Sequence, residues 1–315
     1  MSWWRRKSGA TGEGESHPDP TVEAKDLQTL TRIARTYLAP DHAERWLRLL
    51  RPAIRLIASD AVEAPLARIG GRPLVPQDFE WPVWEGSGPL SYVGEVDLDV
   101  LAGSSLDPGL DLPTAGRLLA FYFDGSHDNF TSVVGTWDRD SLAGAQLIHI
   151  TQPRAESVEA SVPGGVLAYP EQSLQGRQVM THPGWEHHVL RREFGEPEWD
   201  FQTWRKHPVQ AEAFNEALSA LDEGAVPRHQ IGGWADPVQG PVELEVAQAA
   251  LSRPFEYGDA VHVAQALAWR PLLQVDSDDN SQMMWGDVGM LYWLRRDSGA
   301  VAPEMGPVSF TWQCG

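Results

Sequence analysis

Residues 272–294 read LLQVDSDDNSQMMWGDVGMLYWL, and this stretch decides the fold. An apolar run ends at Val275 and Asp276, a polar loop follows, and Gly289 precedes a second apolar run. Short apolar runs bounded by turn residues are typical of buried strands, so the stretch predicts a strand, a loop and a second strand. We therefore expect the body of the protein to be rich in sheet.

The same arrangement occurs earlier in the chain. The matched positions are Val96 and Asp97 with Val275 and Asp276, Gly116 and Leu118 with Gly289 and Leu291, and Asp124 with Asp297. Strands are predicted at 90–96, 117–123 and 145–151 in the first copy, and in PLLQV, MLYWL and VSFTW in the second. We interpret the match as an internal duplication of a three-stranded unit.

Helical patterns flank and interrupt these strands. Apolar spacing predicts a helix over 21–38, and Asp41 with Glu44 makes a capping-box-like start for a second helix. Pro208 is expected to open a third, and further helices are predicted in VELEVAQAAL and DAVHVAQALA. The predicted fold class is α+β, with a disordered tail at 1–20, an N-terminal helical appendage at 21–60, and a sheet-rich domain at 61–315. Within that domain, repeat one covers about 70–155, a helical insert about 180–268, and repeat two about 269–315.

Charge and composition limit the possible partners and compartments. The formal net charge is -19 over 315 residues, which repels phosphate backbones, so no nucleic-acid partner is expected. A cationic protein or a small polar ligand fits this charge better. No apolar run approaches the length of a membrane span, and the N-terminal residues lack the apolar core of a signal peptide. A single cysteine, Cys314, excludes an intramolecular disulfide, and we expect a cytoplasmic protein.

Four motifs together resemble a known family. They are GGRPLVPQDFEWP (70–82), LSYVGEVDL (90–98), HQIGGWADPVQG (229–240) and the opening stretch at 272–294. In this combination the chain resembles the YwqG-like family, bacterial proteins classed as a domain of unknown function, from about Gly70 to Gln313. The resemblance implies an α+β fold and a cytoplasmic protein. Some relatives lie near toxin and immunity loci, which implies an interaction role, and the family assigns no catalytic residues that this chain can take over.

The loop of the opening stretch is rich in carboxylates, which are calcium ligands. With Asp276 as the first position of an EF-hand loop, Asp278, Asn280 and Asp287 fall at ligand positions. Ser281, however, stands where the loop needs glycine, and both flanks read as strands, so an EF-hand is excluded. Asp276, Asp278 and Asp287 stay weak metal candidates. The simpler interpretation is that Asp276 caps a turn, and no cofactor is expected.

A second polar motif accompanies this loop. His229 and Gln230 precede two glycines, and Trp234 follows, so a donor, an acceptor and a stacking ring occur together. If these groups meet the loop after the strand at 271–275, a polar pocket results between repeat two and the helical insert. The candidate pocket consists of His229, Gln230, Trp234, Gln274, Asp276, Asp278, Trp285 and Asp287.

Two functions are compatible with these residues. The first is a non-catalytic binding or regulatory protein with an acidic, tryptophan-rich surface, and the sequence favours it because nucleophile and phosphate-loop motifs are missing. The alternative is a hydrolase that acts on a small polar ligand, with His229 and Asp276, Asp278 or Asp287 as acid and base. The adjacent pair His187 and His188 is expected to point apart, which argues against a metal site there.

Overall fold

The structure is a computed structural model. It describes residues 26–60, 63–196, 200–222, 227–251, 259–297 and 307–315. The predicted tail at 1–20 and the first residues of the predicted helix over 21–38 lie outside the described residues. Among the described helices, none is long and apolar enough to cross a membrane.

Eight α-helices occur in the described parts of the chain. They are α1 (Leu27–Tyr37), α2 (Pro40–Leu47), α3 (Leu98–Gly103), α4 (His188–Phe194), α5 (Phe201–Trp204), α6 (Glu212–Ser219), α7 (Val242–Leu251) and α8 (Ala260–Ala266). The Asp26 carboxylate accepts a hydrogen bond from the Thr29 N–H and starts α1. Helix α2 begins with a proline at its first turn, so Asp41 lies inside the helix and the predicted capping box is wrong. Pro208 opens a short 3-10 turn before α6.

Fourteen strands occur in the same described parts. The first seven are β1 (Arg51–Ala58), β2 (Ala67–Ile69), β3 (Leu74–Val75), β4 (Val83–Trp84), β5 (Gly88–Pro89), β6 (Ser91–Asp97) and β7 (Arg117–Tyr122). The others are β8 (Ala145–Ile150), β9 (Val158–Glu159), β10 (Gln172–Thr181), β11 (Gln230–Gly232), β12 (Trp269–Asp276), β13 (Met290–Arg296) and β14 (Val308–Gln313).

Ten of these strands form one antiparallel sheet in the order β14-β13-β12-β11-β1-β10-β2-β6-β7-β8. The sheet is nearly closed, because its two edge strands approach each other within 8 Å between Cα atoms without pairing. Strands β3 and β9, and strands β4 and β5, form two small separate ladders. The expected mixture of helix and sheet is therefore confirmed.

The six strands predicted in the two copies all exist, as β6, β7, β8, β12, β13 and β14. The domain bounds need correction, however. Residues 51–58, placed in the helical appendage, form β1 in the middle of the sheet. Residues 230–232, placed in the helical insert, form β11 beside it. The sheet is thus continuous through both segments, because β1 bonds to β10 on one side and to β11 on the other.

The sheet encloses the main hydrophobic core. Side chains from both ends of the strand order meet in it, including Phe121 of β7 and Trp293 of β13, which are almost fully buried. A second apolar cluster joins α1, α2, α4 and α6 with Trp46 at its centre. Burying large rings of this kind stabilises the fold by roughly 2–3 kcal/mol each.

A buried charged cluster lies on β6 and β7. The Glu95 carboxylate is 4% exposed and receives Nη1 of Arg68 at 3.1 Å and Nη1 of Arg117 at 3.4 Å. Arg154 also pairs with Glu95, and its Nε lies 3.5 Å from Asp97. Burial alone would lower the pKa of Arg154, but the hydrogen bond and charge of Glu95 raise it above its usual value. Glu95 is therefore the shared partner of three cations, one of which is the fully buried Arg117.

The end of β11 requires glycine. Gly232 and Gly233 have φ of 72° and 74°, in the left-handed region that glycine adopts without strain. A Cβ at Gly232 would lie 1.9 Å from the carbonyl oxygen of Pro108. The backbone therefore approaches the neighbouring loop more closely than any side chain permits.

Candidate functional site

The structure brings seven of the eight predicted pocket residues together around the ends of β11 and β12. All seven are at most 3% exposed: His229, Gln230, Trp234, Gln274, Asp276, Asp278 and Trp285. Asp287 is exposed on the loop before β13. The predicted residues therefore form a buried polar cluster, and their contacts decide what that cluster can do.

His229 is completely buried between the two aspartates. Its Nδ1 accepts a hydrogen bond of 3.1 Å from the backbone N–H of Asp276, which leaves the ring proton on Nε2. Nε2 lies 3.5 Å from a carboxylate oxygen of Asp278. The Asp276 carboxylate accepts a hydrogen bond of 2.9 Å from the Arg228 N–H. Both nitrogens of His229 therefore face the loop itself.

The amide side chains of the cluster are also engaged by backbone. Gln230 donates to the carbonyls of Gly232 and Trp234, each at 2.9 Å. Gln274 donates to the carbonyl of Arg228 at 2.7 Å and accepts from the Asp236 N–H at 2.9 Å. These bonds fix the glycine turn after β11, because they join the two sides of that turn.

Both tryptophans donate their indole N–H groups to the backbone. Trp234 Nε1 donates to the carbonyl of Leu49 at 2.7 Å, and Trp285 Nε1 donates to the carbonyl of Asp276 at 3.2 Å. Trp285 also packs edge-on against Tyr122, with ring centroids 5.7 Å apart. These rings therefore anchor loops to the core and offer no stacking face to a ligand.

The carboxylates of the loop are not arranged as a metal site. Asp278 accepts from the Asn280 N–H at 2.9 Å and exchanges backbone bonds with Met283, while Asp287 is exposed further along the loop. Across the described part of the chain, no group of three or more His, Cys, Asp and Glu side chains could hold a metal ion. Asp278 caps the turn of its own loop, whereas the Asp276 carboxylate, for which turn capping was predicted, accepts from the Arg228 N–H, 48 residues away in the chain.

This geometry favours a structural role for His229 over a role in acid–base catalysis. A general base must reach a substrate proton within hydrogen-bond distance, directly or through one water. His229 is 0% exposed, and its two nitrogens face Asp276 and Asp278. The hydrolase alternative would need the whole loop to open, and no contact of the cluster favours that.

Replacing Asp278 by asparagine is expected to lower the free energy of unfolding by about 1–3 kcal/mol. Burial raises the pKa of Asp278, but the neighbouring His229 ring and the hydrogen bond from the Asn280 N–H lower it by more, so the pKa lies below its usual value. The carboxylate therefore stabilises the fold above about pH 4, and this contribution is lost as the pH falls below that value.

Urea unfolding at neutral and acidic pH checks this expectation. The matched control is Asp279→Asn, since Asp279 is the exposed neighbour on the same loop and its replacement should change stability by less than about 0.5 kcal/mol. Equal effects of the two variants would show that Asp278 contributes no more than a surface charge.

Exposed groups lie beside this buried cluster, partly on the same loop. The loop 124–140 and the loop 277–289 carry four exposed apolar side chains: Phe130 at 52%, Trp137 at 70%, Met284 at 47% and Val288 at 41%. The same two loops carry four exposed carboxylates: Asp138, Asp140, Asp279 and Asp287. We call this surface the acidic rim. Of its eight residues, Asp287 is also one of the predicted pocket residues.

The two loops of the acidic rim are neighbours. The indole of Trp312 donates to the carbonyl of Val134 at 2.7 Å, and a Cβ at Gly286 would lie 2.9 Å from that same indole. Trp285, on the loop 277–289, packs against Tyr122 and Tyr169. The Tyr169 hydroxyl donates to Asp124, on the loop 124–140, at 2.7 Å. The rim is therefore supported from below by buried rings.

Backbone strain is concentrated in the acidic rim. Among the described residues, the non-glycine residues with positive φ are Asn129 (55°), Phe130 (59°), Gln282 (54°) and Val288 (51°), and all lie in its two loops. The left-handed region is costly for a β-branched residue such as Val288. Strain of this kind is concentrated at functional sites, where the surrounding structure maintains it.

A buried histidine pair lies in the helical layer, apart from the acidic rim. His187 caps α4 by accepting from the Val189 N–H, so it stands outside the helix, and its ring stacks on His188 with centroids 4.2 Å apart. The expectation that the two rings point apart is therefore wrong. His187 Nε2 lies 3.3 Å from the buried carboxylate of Glu243. Burial, reinforced by His187, lowers the pKa of His188 to about 3.

The stability of the protein is expected to fall between pH 6.5 and 4 because of His188. The unfolded pKa of histidine is about 6.5, so neutral His188 stabilises the fold fully above that pH and progressively less below it. The loss reaches roughly 3 kcal/mol at pH 4. His207, whose burial lowers its pKa to about 4, adds to the same slope.

The variant His188→Phe keeps an aromatic ring without a titrating group, so its stability should fall less steeply over this pH range. In the double variant His188→Phe/His207→Phe, stability should depend on pH still less steeply. Urea unfolding at three pH values measures both slopes, and slopes identical to that of the unmodified protein would exclude His188 as the cause.

The fold and these contacts define a class of protein: an α+β protein with a nearly closed antiparallel sheet. The polar side chains of its sequence motifs form hydrogen bonds that hold its own loops in place. The model of one family matches residues 67–314, which is most of the chain, and the chain belongs to that family. It is DUF1963, described as a domain of unknown function. A comparison with curated proteins found no match.

Proposed function

We propose that the protein is a non-catalytic binding or regulatory protein and that the acidic rim is its binding surface. The observation that supports this most is the contrast between the two candidate sites. The motif residues are buried and bonded to their own loops, whereas the rim exposes apolar side chains on strained backbone. Exposed apolar groups ringed by charge are typical of interaction surfaces.

The charge of the rim favours a cationic partner. The exposed charged residues of its two loops are the four carboxylates of Asp138, Asp140, Asp279 and Asp287 and one cation, Arg139, and the whole chain carries a net charge of -19. Complementary charge steers encounter and excludes anionic partners. Apolar groups such as Trp137 and Val288 would then supply the contact area. The partner is therefore a cationic protein segment that also carries apolar side chains.

The narrower YwqG-like resemblance and a cytoplasmic location in a bacterium belong to the same proposal. So does the interaction role that the resemblance implies through toxin and immunity loci. A protein that sequesters a cationic partner needs charge and a rigid surface, and it needs no nucleophile. The rim provides the charge through its four carboxylates, and the buried ring of Trp285 and the half-buried ring of Trp312 make its surface rigid.

A panel of short Lys- and Arg-containing peptides with Leu or Trp at varied positions tests the proposal by fluorescence anisotropy. We expect binding that weakens with added salt and falls about ten-fold or more when Asp138, Asp140, Asp279 and Asp287 are changed to Asn together. The control neutralises four exposed acids of the helical layer, Glu44, Glu196, Glu212 and Glu216. Binding that the control weakens as much as the rim variant would overturn the rim as the binding surface.

Replacing Val288 by glycine is expected to stabilise the protein by about 0.5–1 kcal/mol while weakening peptide binding. Glycine adopts a φ of 51° without the strain that valine bears, and it removes an exposed contact. Val288→Ala is the matched control, because it removes the contact but keeps a Cβ on the strained backbone. Thermal unfolding and anisotropy separate the two effects, and an unchanged stability of Val288→Gly would show that the strain is not stored at this residue.

The proposed duplication of the chain accounts for the position of both rim loops, which follow β7 in the first unit and β12 in the second. Its support is the common register: Val96 lies opposite Leu118 in the first unit, and Val275 lies opposite Leu291 in the second. The strand preceding each unit also ends in Ile-Gly-Gly with positive φ, at Gly70 and Gly71 and again at Gly232 and Gly233. On this proposal, the loop from Asp278 to Asp287 is an elaboration of the second unit.

A further inference from the structure

Met284, on the loop 277–289 of the acidic rim, exposes its thioether to solvent. Its side chain is 47% exposed, whereas that of the adjacent Met283 is fully buried. Met290 is also buried, and Met180 is partly buried against the second apolar cluster. Among the methionines of the described residues, Met284 is therefore the one that a dissolved reagent reaches freely.

The bonds of the loop on both sides of Met284 hold its side chain outward. Asp278 and Met283 exchange backbone hydrogen bonds of 2.8 and 2.9 Å. The Trp285 N–H donates to the Ser277 hydroxyl at 3.0 Å, and the Trp285 ring is buried. Because both neighbours of Met284 are bonded and buried, the backbone cannot turn to carry this side chain into the core. Exposure of the sulfur is thus a fixed property of the loop.

Met284 is one of the apolar side chains that the rim offers to a partner. The others are Phe130, Trp137 and Val288. Methionine is common at surfaces that adapt to a partner, because its side chain is flexible and polarisable. It differs from the other three in its thioether, which an oxidant converts into a polar sulfoxide and a reductase restores. The rim therefore contains a contact whose polarity can change reversibly.

We propose that Met284 is a reversible oxidation site and that its oxidation by a peroxide weakens partner binding at the acidic rim. The effect on binding rests on the proposed function of the rim. A lone pair of the sulfur attacks one oxygen of hydrogen peroxide, the O–O bond breaks and an S–O bond forms. The bound oxygen passes its proton to the departing hydroxide, which leaves as water. Sulfur is oxidised by two electrons and the peroxide is reduced. A methionine sulfoxide reductase, with a dithiol as electron donor, reverses the change.

The sulfoxide at Met284 changes the apolar part of the rim and leaves its charge intact. The S–O group is polar and attracts water, so the side chain no longer supplies apolar contact area. We expect a partner peptide to bind about ten-fold more weakly, the ratio that loss of much of one buried methionine side chain gives. The salt dependence of binding should stay the same, because the four carboxylates of the rim are unchanged.

Peptide mass spectrometry after exposure of the full chain to hydrogen peroxide tests the oxidation site without any partner. We expect the sulfoxide to form on the order of ten-fold faster at Met284 than at Met283 and Met290, because oxidation follows exposure. Met1 and Met305 lie outside the described residues and do not enter this comparison. Equal rates at Met284 and at its buried neighbour Met283 would overturn the proposal.

Fluorescence anisotropy with the tightest binder of the Lys- and Arg-containing peptides, before and after peroxide, tests the effect on binding. The ten-fold loss is expected to reverse with methionine sulfoxide reductase. The control is Met284→Leu, whose own affinity should not change with peroxide because it lacks this sulfur but keeps Cys314 and the other methionines. Thermal unfolding checks that the variant folds.

Undiminished binding after complete oxidation of Met284, or an equal peroxide effect in Met284→Leu, would contradict the effect on binding. Absence of any peptide binding before oxidation would overturn the proposed function and, with it, the effect of oxidation on binding. The oxidation rates decide the site itself in either case, so the two failures are distinguishable.

Discussion

Replacing Glu95 by glutamine is expected to lower the free energy of unfolding by about 3 kcal/mol. Glutamine keeps the shape of the side chain but removes the negative charge that Arg68, Arg117 and Arg154 share. Arg117 is 1% exposed, so water cannot replace the lost carboxylate, and an uncompensated buried cation is costly.

The control for this prediction is Glu159→Gln. Glu159 pairs with Arg72 at 3.0 Å, but both side chains are more than half exposed, and such pairs contribute roughly 0–1 kcal/mol. Urea unfolding of the two variants at neutral pH gives the comparison. If the two substitutions cost the same, the buried cluster is no more important to stability than a surface pair.

The second large effect is expected from Gly232→Ala, which should cost at least about 3 kcal/mol or prevent folding. Two separate terms contribute: the positive φ of 72° costs roughly 1–2 kcal/mol for alanine, and the new methyl group would meet the Pro108 carbonyl oxygen at 1.9 Å. The loop must move to relieve that contact, which disturbs the turn between β11 and Trp234.

Gly165→Ala isolates the first of these terms. Gly165 has a φ of 87°, but a Cβ there would meet nothing within 4 Å, so its replacement should cost only the backbone term. Thermal unfolding of both variants measures the difference. A Gly232→Ala variant no less stable than Gly165→Ala would mean that the loop of Pro108 yields freely.

The strands of the two copies were predictable because their sequences carry a strong local signal. β6, β7, β12 and β13 are apolar, aromatic and bounded by turn residues. β10, by contrast, reads QSLQGRQVMT, which is too polar to suggest a central strand. Its pairing with β1 and β2 stabilises the strand, although its composition does not favour one. Tertiary contacts decide such segments, and local patterns cannot show them.

The segment RPAIRLIA of β1 was misassigned for a related reason. It directly follows the two N-terminal helices and, like them, contains arginines. It was therefore assigned to the same helical segment. In the structure, its side chains alternate between the main core, which receives Ile54 and Leu56, and the opposite face, where Arg55 bonds to Asp236 at 3.1 Å. A buried arginine with a partner 181 residues away leaves no local trace.

The candidate site was predictable in part. Residue types and spacing were sufficient to group His229 with the loop from Asp276 to Trp285, and the structure does bring them together. They could not reveal that the bonding partners are backbone groups of the same loops. The acidic rim escaped prediction because nothing about Phe130 or Val288 as residue types signals a left-handed backbone.

The position of β1 has a consequence for how the protein is made. Ile54 pairs with Ile231, a residue that leaves the ribosome 177 positions later, roughly 10–35 s at ordinary synthesis rates. Until then, one side of a strand with an apolar face remains unpaired in the nascent chain. We therefore expect this apolar face to stay uncovered in the nascent chain for longer than the stability of the finished fold would suggest.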